Sequence, residues 1–204
     1  MRTVTFTQMK DGTEEDWKLL STGGNREKKY LAGTADRILK EMNSQGDEEL
    51  AGYKVSRLEH GLQAATRAEA DGADVDWIVS ALLHDIGDGL APQNHARFAA
   101  ELLRPFVREE CAWVIEHHGI FQRYYYAHYY GGNREERKRF EDNLYYQACV
   151  DFCERWDQSS FDPDYETKSL KHFAPMVREV FSRKAFDPKI TRKGVSTGVS
   201  SKSK

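Results

Sequence analysis

His84 and Asp85 end an apolar run, Trp77-Ile78-Val79-Ser80-Ala81-Leu82-Leu83, whose content suits a helix buried in a core. An ionised carboxylate beside an imidazole in such a place is costly to bury unless a cation compensates it. The chain therefore has to fold so that further donors reach the end of this helix. Candidates stand at comparable places in the neighbouring segments. His60 lies in Arg57-Leu58-Glu59-His60-Gly61-Leu62, and His95 follows the break at Pro92. His117 and His118 end a short apolar segment, and Asp157 follows Glu154-Arg155-Trp156. Imidazole nitrogen and carboxylate oxygen suit iron, manganese, nickel, cobalt or zinc. Adjacent side chains at a helix end diverge, so one can bind a first cation while the other reaches a second. Asp85, with two oxygens, is the natural bridge between them.

The rest of the chain supplies helices for these donors. Apolar residues recur at helical spacing from Asn25 to Asn43, from Leu58 to Ala70, from Asp74 or Asp76 to His84, and from Gln93 to Leu103. A short segment from Glu109 to His117 is expected to stop at Gly119. A tyrosine-rich block from Phe121 to Tyr130 and a charged stretch to Asp142, expected to be a solvated helix face, lead to a helix from Leu144 to Trp156. A last one runs from Leu170 to Arg183. No convincing strand pair is present, so the expected fold is all-α. The expected division is an N-terminal extension over 1–24, one helical domain over 25–186, and a disordered tail over 187–204 rich in Gly, Ser and Lys.

Composition narrows the function. A formal net charge of -3 over 204 residues is too small to imply nucleic acid or an acidic membrane as partner. No apolar run is long enough to span a membrane, and Met1-Arg2-Thr3-Val4-Thr5-Phe6 lacks an apolar signal core. Three cysteines, an odd number, point to reduced thiols and a cytoplasmic setting. Cys111, Cys149 and Cys153 read as small core residues. His128 and His172 read as ordinary histidines outside any site.

The order His60, His84-Asp85, Asp157 resembles the HD-domain superfamily of metal enzymes, over roughly Tyr53 to Phe161. The run from Leu58-Glu59-His60 to His118-Gly119-Ile120-Phe121-Gln122 is also similar to a group known only as predicted HD phosphohydrolases. Most of the superfamily hydrolyses phosphate esters, usually with a Lys shortly after the His-Asp pair; here Asp88 stands three after Asp85. A second branch, myo-inositol oxygenase and the phosphonate-cleaving HD oxygenases, uses an Fe(II)/Fe(III) pair and O2 to cleave a C–C or C–P bond. That resemblance implies one iron on His60, His84, Asp85 and Asp157. The second would take Asp85, His95 and either His117 or His118. His117 aligns with the phosphonate oxygenases from Cys111 onward, and His118 with myo-inositol oxygenase from Ile115 onward. The phosphonate oxygenases also carry a Tyr and a Glu before the first His; Gly52-Tyr53-Lys54-Val55-Ser56 offers only the Tyr.

The expected activity is a di-iron oxygenase acting on a small hydroxylated, anionic molecule. The alternatives are a phosphohydrolase using Mn, Co, Ni or Mg, and a non-catalytic module that keeps the fold. Arg123 is the first candidate to grip an anionic group, since a guanidinium donates two parallel hydrogen bonds. Gln122, Tyr53 and Lys54 are further candidates for substrate contact. Glu59 and Glu116, each preceding a ligand position, are candidates to orient the histidines from behind. The tyrosines from Tyr124 to Tyr130 read either as packing between helices or as a cage for a quaternary ammonium group.

Overall fold

The computed structural model describes residues 3–22, 29–46 and 52–195, and every regular element among them is helical. In chain order these are α1 (Glu14–Thr22), α2 (Thr34–Ser44), α3 (Arg57–Ala70), α4 (Val75–Leu83), α5 (His95–Leu103), α6 (Glu109–Tyr126), α7 (Tyr146–Phe152) and α8 (Leu170–Ser182). A π-helical turn, Cys153–Asp157, continues α7. None of these helices is long and apolar enough to cross a membrane. The fold is the expected all-α bundle.

Local chemistry sets the helix that carries His60. Ser56 caps α3 by accepting from the Glu59 amide, while the Glu59 carboxylate accepts from the Ser56 amide at 2.7 Å. The helix ends at Gly72, whose φ of 76° belongs to the left-handed region that glycine enters without steric cost. The chain then turns into α4, capped by Asp74 through the Trp77 amide.

Helices α3 and α4 pack face to face. Their contact is built on small residues, Ala64, Ala65 and Ala68 on α3 and Ala81 on α4, all fully buried. Gly61 marks the closest approach: a Cβ there would lie 2.7 Å from the Leu82 carbonyl oxygen. That approach brings His60 beside His84. Around it, Trp77, Phe121, Phe152, Trp156 and Phe173 fill one continuous core, each fully buried. A buried aromatic of this size contributes about 1.5–3 kcal/mol. Helix α5 lies along α6, α6 along α7, and α2 along α8. Asp76, at the start of α4, accepts from the Arg108 side chain and, at 2.6 Å, from Arg183, which fastens the loop before α6 and the end of α8 to one point.

Several boundaries differ from the sequence expectation. Helix α6 does not stop at Gly119; it continues to Tyr126. A glycine inside a helix costs only about 1 kcal/mol, and burial of Ile115, His118 and Phe121 outweighs it. The charged stretch to Asp142 is no solvated helix face: it forms a 3-10 turn, Glu136–Phe140, because Phe140 turns inward against Trp113 and Phe121. The N-terminal extension contains α1, held where Asp16 accepts from Thr5 and Thr13. Of the expected helix from Asn25, residues 25–28 lie outside the described residues, as do 196–204 of the expected tail.

Candidate metal centre

His84 and Asp85 follow the last turn of α4, where the chain leaves the helix through tight turns. Four histidines from four segments converge there, and each is oriented by a backbone carbonyl. His60 Nδ1 lies 2.9 Å from the Ser160 oxygen and His84 Nδ1 2.8 Å from Ala81. His95 Nδ1 lies 3.0 Å from Pro92, and His118 Nδ1 2.7 Å from Ile115. A carbonyl only accepts, so each Nδ1 carries a hydrogen and the lone pair of each neutral ring sits on Nε2, facing inward. His60 Nε2 and His84 Nε2 are only 3.0 Å apart. Two lone pairs facing each other inside a core repel unless a cation or a proton stands between them.

The carboxylates complete the arrangement. Asp157 Oδ1 lies 3.3 Å from His60 Nε2 and 3.5 Å from His84 Nε2, while its Oδ2 is buried without a hydrogen-bond partner. Asp85 divides its oxygens between two histidine pairs. Its Oδ2 lies 3.6 Å from His60 and 3.4 Å from His84; its Oδ1 lies 3.4 Å from His95 and 3.1 Å from His118. Donor atoms of His60, His84 and Asp157, and separately of His84, Asp85 and His118, fall within 4.8 Å of one another. Burial alone would raise the carboxyls of Asp85 and Asp157, but the histidines, His84 foremost, hold both well below the ordinary range. Burial would likewise depress His60 and His84, yet the Asp157 and Asp85 carboxylates outweigh it and raise them. The site thus favours anionic carboxylates and attracts positive charge onto its nitrogens. A nitrogen and oxygen donor set of this kind, with one buried carboxylate oxygen unsatisfied, fits divalent or trivalent first-row cations.

Other sequence candidates fall differently. His117 does not join the cluster: its ring stacks on Trp113 at 4.2 Å and meets Phe140 edge-on, with Nδ1 donating to the Trp113 carbonyl. Glu59 serves the cap of α3 and Glu116 pairs with Arg104 at 2.6 Å, so neither supports a histidine. The orienting groups are backbone carbonyls, for which the sequence carries no signal. Arg123 turns to Glu136 at 2.8 Å, and Lys54 is exposed; neither lines the cavity beside the cluster. That cavity, about 390 Å³, is walled by Tyr53 and Gln122, two of the sequence candidates for substrate contact, and by Asp88, Tyr125, Tyr126, Gln158 and Phe161. Phe161 and Gln158 carried no sequence signal. The tyrosine block neither packs as a unit nor forms a cage by itself. Tyr124 is covered by Arg134 and Arg137, Tyr125 and Tyr126 face the cavity, and Tyr129 and Tyr130 are exposed.

Two comparisons agree with this geometry. The HD-domain family profile matches residues 57–150, the span from the start of α3 into α7. A 1-hydroxy-2-(trimethylamino)ethylphosphonate dioxygenase from Leisingera caerulea, which forms glycine betaine, is 30% identical over 184 residues, covering 76% of this chain and 90% of that protein.

Proposed function

The chain belongs to the HD-domain superfamily, and from that premise we propose that it is a di-iron oxygenase that uses O2 to cleave the C–P bond of a small 1-hydroxyphosphonate. The observation that carries the proposal is the division of Asp85: each oxygen faces a different histidine pair, as a carboxylate bridging two cations must. In this reading His60, His84, Asp157 and Asp85 would hold the first ion, and Asp85, His95 and His118 would hold the second. The relative from Leisingera supplies the reaction class.

When bound, the pair of ions supplies Lewis acidity toward the substrate's hydroxyl and phosphonate oxygens and the redox capacity that O2 chemistry requires. The protein supplies the rest. All six imidazole and carboxylate groups are buried to a third or less exposure, and Asp85 and His95, the more open ones, face the cavity. Substrate oxygens therefore approach from the Asp85–His95 side. Gln122, four residues after His118 on α6, presents an amide to the phosphonate. Tyr125, whose phenol burial pushes up to about 12, stays protonated and can only donate or accept a hydrogen bond. Phe161 stacks on His60 at 4.4 Å and keeps water from that ligand. The overall reaction balances without an outside reductant. The C–H and C–P bonds of the hydroxyl-bearing carbon break, O2 is reduced by the four electrons released, and a carboxylate, phosphate and one proton leave.

A phosphohydrolase reading finds less support. Asp88 stands where a lysine usually follows the pair, its carboxylate is taken by Arg57, and no Lys or Arg lines the cavity among the described residues. The test is Fe(II)-loaded protein given O2 and a 1-hydroxyphosphonate. Phosphate release matched one to one by O2 uptake is expected. Phosphate released from a phosphate ester with Mn2+, at an equal rate without O2, would replace the proposal with hydrolysis.

A further inference from the structure

We propose that Gln63 is a positioning residue for the metal centre: its buried amide clamps the backbone of Asp162, and that clamp sets the Ser160 carbonyl on His60 and Phe161 across its ring. The role rests on reading the cluster as a metal centre and does not depend on which reaction the ions carry out. Gln63 lies one turn after His60 on α3 and is buried. Its Nε2 donates to the Asp162 carbonyl at 2.7 Å, and its Oε1 accepts from the Asp162 amide at 3.3 Å. A primary amide presents a donor and an acceptor side by side, so one side chain satisfies both polar groups of a residue's backbone at once.

The segment over residues 158–169, between the π turn and α8, has little regular structure of its own, so its backbone has to find partners elsewhere. Helix α3 supplies them from one face, at steps of three: His60, Gln63, Thr66 and Glu69. His60 Nδ1 donates to the Ser160 carbonyl, Thr66 Oγ1 accepts from the Lys168 amide at 3.1 Å, and Glu69 accepts from the Lys168 ammonium at 2.5 Å. These tethers act at different places. Thr66 and Glu69 hold the far end of the segment, next to α8, whereas Gln63 holds the residue two after Ser160. On its other side Ser160 is already fixed: its amide donates to the Asp157 carbonyl at 3.0 Å and its hydroxyl to the Trp156 carbonyl. The peptide group whose oxygen faces His60 is thus tied at both ends, and Gln63 is the tie on the side away from the π turn. Pro163 restricts the backbone of Asp162 to extended conformations, so the clamp grips a stiff part of the chain. Phe161 stands between the two tied residues and stacks on His60 at 4.4 Å. A histidine whose Nδ1–H has a fixed acceptor aims its Nε2 in one direction and is a stronger metal ligand. Releasing the clamp loosens the acceptor and the stacked ring together.

The test compares Gln63→Met, which keeps the length of the side chain and removes both hydrogen bonds, with Thr66→Val, which removes the far tether at nearly constant volume. Full-length protein freed of metal is titrated with Co2+ against a competing chelator, and the visible absorption of the bound cobalt is recorded. Gln63→Met should weaken one class of bound cobalt about tenfold, the lower end of what losing a histidine's supporting contacts costs. Its d–d bands should shift as well, because His60 no longer holds one orientation. Thr66→Val should change the affinity less than about twofold and leave the bands in place, since its hydrogen bond supports the fold and not the ligand. Gln63→Asn keeps the amide but falls one methylene short of Asp162; it should show the same two changes and carries the test if the Met variant does not fold. Unchanged affinity and bands at position 63, or equal losses there and in Thr66→Val, overturn the proposal while the metal centre stands. A wild type that takes up no cobalt overturns the metal-centre reading, and the proposal with it.

Discussion

Removing one oxygen of Asp85 is the sharpest test of the two-cation reading. Asp85→Asn keeps size and shape but leaves one carbonyl oxygen and an NH2 group that cannot ligate. In the protein the two oxygens serve different pairs, Oδ2 toward His60 and His84, and Oδ1 toward His95 and His118. One amide oxygen can serve only one of them. An ion that binds only the folded state, at a free concentration about 100 times its Kd, stabilises it by about 2.7 kcal/mol. For a domain of this size each kcal/mol moves Tm by about 2–4 °C. Two ions should therefore raise Tm by about 10–20 °C over the chelator-treated protein, and one ion by about half of that. The difference between loaded and stripped forms is taken within each protein, so that any effect of the substitution on the metal-free fold cancels. Scanning calorimetry in anaerobic Fe(II) buffer gives the shift, and elemental analysis gives the stoichiometry. The wild type should hold two ions and Asp85→Asn one. A variant that keeps two ions and the full shift refutes the bridge, and a wild type that binds one refutes the dinuclear site.

Three further outcomes follow from particular contacts. His118→Ala should lose the second ion while His117→Ala keeps both, since only His118 faces Asp85; elemental analysis of the two variants distinguishes them. Gly61→Ala should destabilise the fold by about 1–3 kcal/mol, because its Cβ would press on the Leu82 carbonyl and part α3 from α4, and should lower metal retention with it; unchanged Tm and metal content would contradict the close approach. In the metal-stripped protein His60 and His84 have raised pKa values, so their stabilisation is complete below the unfolded value of about 6.5 and is lost as pH rises through the folded ones. Tm measured in chelator should then fall as pH climbs past neutral, and a Tm that rises over that range would reverse the assignment.

What the sequence made legible was the part governed by large energies. An ionised carboxylate beside His84 at the end of an apolar run called for further donors, and the bundle brings His60, His95, His118 and Asp157 to that place, with Asp85 itself left partly open to the cavity. What stayed hidden depended on rotations of a single residue. His117 and His118 are neighbours on α6, about 100° apart around the helix, and both fit a linear pattern. The choice is made in three dimensions, where Trp113, one turn back, stacks with His117 and leaves His118 facing Asp85. Asp157 reaches the cluster through a π turn in which the Gln158 amide bonds to the Cys153 carbonyl, a one-residue shift that side-chain periodicity does not record.

The electrostatics of the cavity were hidden for a related reason. Arg57 and Arg123 both lie within a few residues of a cluster histidine, which is why Arg123 reads as a grip for an anion. Each is instead neutralised by a carboxylate from another segment, Asp88 after α4 and Glu136 in the turn after α6. Formal charge along the chain is blind to that pairing. Its consequence bears on the proposed chemistry: with those cations paired elsewhere, metal ions held by the cluster would be the positive charge left to receive the anionic end of a substrate. The contacts that bind the substrate would then also hold its reacting carbon at the cluster. Placing a cation in the cavity, by Tyr126→Lys, should accordingly favour a 1-hydroxyphosphonate that carries a second anionic group over one that does not; kcat/KM for the two compounds measures it, and an unchanged ratio would refute this electrostatic reading.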